Sequence, residues 1–106
     1  MIYVAHPYGG NKENIKKAAE CLEELQEMYP HETLFSPLHN WSWNAYAPNH
    51  QAKPMQDCLT ILRRCDAIIL CGDWWKSMGC MQEYAASYVL RIPVFEFNEN
   101  GISEVK

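Results

Sequence analysis

An α/β domain built on a small parallel sheet of about four strands, with helices on both faces, is predicted by three observations. Apolar β-branched runs alternate with segments of helical period, one run is apolar at every position, and glycine or proline marks most junctions. At 106 residues the chain is one domain's worth, so a single domain over residues 1–106 is expected. Met1 to Ala5 is an apolar strand that Pro7, Gly9 and Gly10 stop. From Asn14 to Met28, Ile15, Ala18, Ala19, Leu22 and Leu25 make one stripe, with Lys16, Lys17, Glu20, Glu23 and Glu24 mainly off it: an amphipathic helix that Asn11 would cap. Pro30 ends it, and Thr33 to Phe35 reads as a short second strand before Ser36-Pro37.

Leu38 to Lys53 shows no period, carries Trp41, Trp43, Tyr46, His39 and His50, and reads as a long functional loop. Pro54 suits the first turn of a helix whose Met55, Cys58, Ile61, Leu62 and Cys65 share one face. Ala67 to Cys71 is the uniformly apolar run, expected of a central parallel strand covered on both sides. Ser77 caps a third helix with Met81, Tyr84, Ala85 and Tyr88 inward, and Ile92 to Phe97 returns as the last strand. The polar tail from Asn98 is expected to be irregular. In such folds ligands bind beyond the carboxyl ends of the strands, where the strand order switches direction.

Composition narrows the function classes. With 48% hydrophobic and 21% charged residues the chain is neither disordered nor a disulfide miniprotein. Nine basic against 13 acidic residues give a net charge of −4, which argues against broad binding to nucleic acid or an anionic membrane and leaves a small molecule as the expected partner. No stretch approaches the roughly eighteen apolar residues of a membrane span, and MIYVAHPYGG is too short and polar for a secretory leader, so a cytoplasmic location is expected. The five cysteines form no C-x-x-C pair and read as reduced, mostly buried thiols, with Cys80 the one whose reactivity a helix N-terminus could raise. Trp41, Trp43, Trp74 and Trp75 in or near loops, on a sheet this small, predict homo-oligomerisation.

The expected ligand edge collects several candidate residues. Ser77-x-Gly79-x-x-x-Glu83 places a cap, a bare Cα and a carboxylate on the opening turns of the third helix, and Glu83 leans back over Gly79. Asp57 beside the apolar stripe of the second helix is a candidate second carboxylate, while Asp66 reads as a turn residue. His6-Pro7-Tyr8-Gly9-Gly10 is a turn whose glycines let the backbone close on a ligand, although it is neither G-x-G-x-x-G nor a P-loop.

In order and spacing, Ile2-Tyr3-Val4-Ala5, Pro7, Gly9-Gly10, Gln56-Asp57, Cys65-Asp66-Ala67-Ile68-Ile69-Leu70 and Ser77-x-Gly79-x-x-x-Glu83 resemble the nucleoside 2-deoxyribosyltransferase-like superfamily, from about residue 2 to Phe97. Within it the chain is similar to the short phage and bacterial members grouped with nucleoside 5′-monophosphate N-glycosidases. The resemblance implies a flavodoxin-like (Rossmann-like) fold, cleavage of an N-glycosidic bond by hydrolysis or by transfer to another base, and no metal or cofactor. By motif, Glu83 would be the nucleophile, Asp57 the supporting acid and Tyr3 the tyrosine that orients the glutamate. Ser77 stands where the nucleotide hydrolases carry a phosphate-contacting serine, with Gly79, His6, Gly9 and Gly10 around the substrate and Trp41 or Trp43 stacking on the base. Tyr8 stands where those hydrolases carry an arginine, a departure that favours the competing reading of a binding or sensing module for a nucleotide-derived ligand. A third reading is a thiol redox protein acting through Cys80.

Overall fold

The computed structural model describes residues 1–7, 12–37 and 52–105, with the side chains of 52–55 excepted. Expectations for Tyr8, Gly9, Gly10, the Asn11 cap, Trp41, Trp43 and the loop from 38 to 51 lie outside the described residues, as does the side chain of Met55.

The chain runs β1 (Ile2–Ala5), α1 (Lys12–Met28), β2 (Leu34–Phe35), α2 (Ala52–Leu62), β3 (Ala67–Cys71), a single 3-10 turn (Trp74–Lys76), α3 (Met78–Leu90), β4 (Val94–Asn98) and β5 (Gly101–Glu104). One sheet holds all five strands in the order β2-β1-β3-β4-β5. The first four are parallel, with Ile2 opposite Leu34 and Ala67, and Ile68 opposite Val94. This is the predicted doubly wound arrangement, with β3 at the centre.

Alternation along the strands divides the core in two. Tyr3, Ala5, Ile68 and Leu70 join Cys58, Leu62 and Cys80 on one face of the sheet, so α2 and α3 cover that side. Val4, Ile69 and Cys71 meet Leu25 on the other, where Cys21 and Leu22 of α1 also pack. The chain therefore turns one way from β1 to β2 and the other way to β3, and the strand order reverses between β1 and β3.

Two expectations are corrected. The tail is not irregular: Asn98 Oδ1 accepts from the Asn100 amide at 2.8 Å, Gly101 takes φ +98°, and β5 returns antiparallel to β4 with Phe97 opposite Ile102. A fifth strand thus joins the four predicted. The inward face of α3 is not Met81, Ala85 and Tyr88 but Cys80, Glu83 and Ser87, with Tyr84 packed beside them. Both sides of this helix are apolar, so period alone cannot choose between them, and Ser87 is able to face the sheet because its hydroxyl donates to the Glu83 carbonyl at 2.7 Å. Trp74, expected in or near a loop, stands in the 3-10 turn, where its indole donates to Glu96 Oε2 at 3.2 Å and its ring meets Tyr84 edge-on at 5.4 Å. Among the described residues no helix is long and apolar enough to cross a membrane.

Candidate active site

At the switch point, where β1 and β3 end side by side, lies a cleft of about 490 Å³. Among the described residues its walls are His6 and Pro7 after β1, Asn14 and Lys17 on α1, Gly72, Asp73 and Lys76 after β3, and Ser77, Met78 and Gly79 at the start of α3. That volume falls within the range of small-molecule sites, roughly 300 to 1,000 Å³. Gly72 makes the close approach possible. It sits at φ +59°, and a Cβ there would stand 3.1 Å from His6 Nε2.

Ser77 caps α3 as predicted, its hydroxyl accepting from the Cys80 amide at 3.2 Å. One turn beyond Gly79, Glu83 turns inward and is only 5% exposed. Its carboxylate Oε2 accepts a hydrogen bond from the Tyr3 hydroxyl, a pairing of the first strand with the last helix. Burial raises the Glu83 carboxyl to about 7, with the Tyr3 bond opposing the rise. The phenol is pushed well above its ordinary range by burial and by Glu83, so it remains a donor. Glu83 does not itself line the cleft, whereas Gly79, one turn before it on α3, does.

Asp57 is half-buried on α2 beside Cys58. Its charge helps to raise the Cys58 thiol, itself driven chiefly by burial to about 12. The structure thus joins Tyr3 with Glu83, sets Ser77, Gly79 and His6 in the cleft wall, and puts Asp57 on the neighbouring helix. Asp66 accepts from the Met1 ammonium at 2.8 Å, in keeping with its reading as a turn residue. Cys80 lies in the core at 1% exposure, which argues against the redox reading based on that residue, and burial lifts its thiol to about 12.

Sequence reasoning missed Asn14 and Lys17 as cleft residues, whereas Asp73 and Lys76 fall in the stretch from Gly72 to Ser77 that the sequence places on the ligand edge without giving either a role. Lys17 read as part of a solvated helix face. The position of Asn14 and Lys17, just past the end of β1, was the available signal. Lys76 reaches Asp73 at 3.9 Å, an exposed pair that holds it only weakly. Among the described residues no group of three or more His, Cys, Asp or Glu side chains could hold a metal ion.

The chain thus combines a doubly wound sheet, a switch-point cleft and, one turn beyond the Gly79 of its wall, a glutamate buried against the tyrosine of β1. The chain belongs to the family described as a domain of unknown function, DUF4406, whose model matches residues 1–96. Among solved structures it is similar to a 2-deoxyribosyltransferase from the psychrotolerant bacterium Bacillus psychrosaccharolyticus, at 26% identity over 91% of this chain and 70% of the other, with a TM-score of 0.70. That protein is described as a biocatalyst for the synthesis of antiviral and antitumoral nucleosides. The likeness supports the nucleoside 2-deoxyribosyltransferase-like superfamily. No curated protein matches the chain.

Proposed function

We propose that this protein cleaves the N-glycosidic bond of a nucleoside or nucleoside 5′-monophosphate, with Glu83 as nucleophile and with water or a second base as acceptor. The observation that carries the proposal is the buried Glu83 carboxyl, held by the Tyr3 hydroxyl one turn behind Gly79. Tyr3 fixes Oε2 and leaves Oε1 to attack the anomeric carbon. A C–O bond then forms as the C–N bond breaks, with its electron pair leaving on the base nitrogen. Protonation of that nitrogen assists its departure, and Asp57, His6 or a water stands in the role of acid. Water or another base opens the glycosyl ester in the second step. The carboxylate is costly to bury before reaction and gains most against the positive charge that develops on the sugar, so the site favours the transition state over bound substrate.

Phosphate on the substrate is favoured over its absence. Among the described residues, Lys17, Lys76 and the amide-bearing start of α3 with Ser77 border one cleft, against the single carboxylate of Asp73. Lys17→Ala and Lys76→Ala are each expected to raise KM for a 5′-monophosphate about tenfold while leaving the nucleoside's nearly unchanged, the cost of one charge-assisted contact. Steady-state kinetics on the matched pair checks this.

The primary test is incubation with a panel of nucleosides and their 5′-monophosphates, with release of free base followed by chromatography. Base release supports the proposal. Thermal stabilisation by a nucleotide without base release selects the binding or sensing module instead.

A second copy of the chain is proposed to cover the outward face of α3. Met78, Tyr88 and Val89 there are 79%, 77% and 78% exposed, and Met81 lies on the same helix. The only charged residue of α3 is the buried Glu83, so this face suits an equally uncharged partner. Met78 also borders the cleft, which places the proposed interface at the rim of the site. Wild type is expected to sediment as an oligomer at micromolar concentration and Tyr88→Lys/Val89→Lys as a monomer; a monomeric wild type overturns the proposal.

A further inference from the structure

Between Gly72 and the cap of α3 the chain passes along the cleft wall on a segment that does little to hold itself. The 3-10 turn is closed by hydrogen bonds from the Lys76 amide to the Asp73 carbonyl at 3.0 Å and from the Ser77 amide to the Trp74 carbonyl at 3.1 Å, a geometry that is poor and rarely extended. Asp73 opens the turn without a side-chain cap, and its contact with Lys76 is the exposed pair at 3.9 Å. Asp73, Lys76 and Ser77 nevertheless all line the cleft. Trp74 ties this turn to the rest of the fold. It is half-buried, its ring meets Tyr84 of α3, and its indole Nε1 donates to Glu96 Oε2 at 3.2 Å.

Glu96 is out of character for its position. On β4 it stands opposite Leu70 of β3, so it projects with Leu70 on the α2 and α3 side of the sheet, while its neighbours Phe95 and Phe97 pack on the other side. A half-buried carboxylate on an apolar face is costly unless a donor meets it. The indole N–H is only a donor and the ionised carboxylate only an acceptor, so the bond is matched and charge-assisted. We propose that Trp74 and Glu96 form a positioning pair that holds the turn against β4 and so sets Lys76 and Ser77 for the anionic part of the ligand. This role presupposes that the cleft is the nucleotide site proposed above. Neither Trp74 nor Glu96 lines the cleft; both act through the turn and the start of α3.

Two readouts on the full chain test the pair, and neither depends on base release. The first is trypsin cleavage of the bond between Lys76 and Ser77, which follows opening of the turn. Trp74→Phe keeps a ring against Tyr84 and removes the N–H, while Glu96→Ala removes the acceptor from the other side. Each is expected to speed cleavage at that bond about tenfold, with the double variant no faster than either single one, whereas Glu96→Gln, which still accepts, stays close to wild type. The second is affinity for inorganic phosphate, titrated by phosphorus NMR, which is expected to fall about tenfold in Trp74→Phe and Glu96→Ala and to be kept in Glu96→Gln. Equal acceleration at every Lys and Arg bond would mark a loss of global stability, and unchanged cleavage would mark a turn held by other contacts; either result overturns the proposal. So does a phosphate affinity that stays the same while the turn opens, or a wild type that takes up no phosphate. A chain that responds to these substitutions but releases no base leaves the pair standing and sets the glycosidase reading aside.

Discussion

Glu83→Gln is expected to reduce base release by about three orders of magnitude or more, the scale on which enzymes respond to loss of a nucleophile. The amide keeps the shape of the side chain and can still accept from the Tyr3 hydroxyl, so the sheet and α3 remain in place while the attacking charge is gone. Nucleotide binding should survive, because the cleft wall of Ser77, Lys17 and Lys76 is untouched. Single-turnover assays with far-UV circular dichroism as the control for folding check both halves. Normal turnover by the variant would return Glu83 to a structural role.

The second large effect is on pH dependence. Burial raises the Glu83 carboxyl from 4.5 to about 7, so the folded protein holds this proton more tightly than the unfolded chain does. The resulting stability is fully present below the unfolded value and is lost as pH rises through about 7. Over that window it amounts to about 3 kcal/mol. Urea denaturation of wild type and Glu83→Gln from pH 4 to 8 should therefore show the variant gaining about that much relative to wild type as pH rises. Catalysis runs the other way, since only the ionised carboxylate attacks: kcat/KM should climb through about pH 7. Tyr3→Phe removes the one contact that favours the charged form, so the limb should move to higher pH, with the largest loss of rate at neutral pH. A limb that stays in place would separate Tyr3 from the titration of Glu83.

The order of strands and helices was legible because the strand runs are short, apolar and bounded by glycine or proline, and β3 is apolar throughout. The face that α3 buries was not, because its outward side carries Met81, Tyr88 and Val89 where a surface helix usually carries charge. β5 escaped notice because Asn98 to Lys106 holds only two apolar residues, Ile102 and Val105, and pairing with β4 rather than local pattern makes the strand. In the site, Ser77, Gly79 and Glu83 follow from helical spacing, since they share one helix and its cap. The pairing of Tyr3 with Glu83 follows from no spacing at all. It exists because α3 packs on the face of the sheet to which Tyr3 points.

The pairing of Tyr3 with Glu83 spans a separation of 80 residues, and the neighbouring strands β1 and β3 join Ile2 to Ala67. Such contacts form only after a long stretch of chain has been closed into a loop, whereas the β4–β5 hairpin closes locally. During folding the hairpin should therefore gain protection from hydrogen exchange early, and the carboxyl of Glu83 should take up its raised pKa late, when the first strand docks. The candidate catalytic group would then report on completion of the fold: a chain that has built its helices and hairpin but not yet inserted β1 would carry Glu83 as an ordinary glutamate.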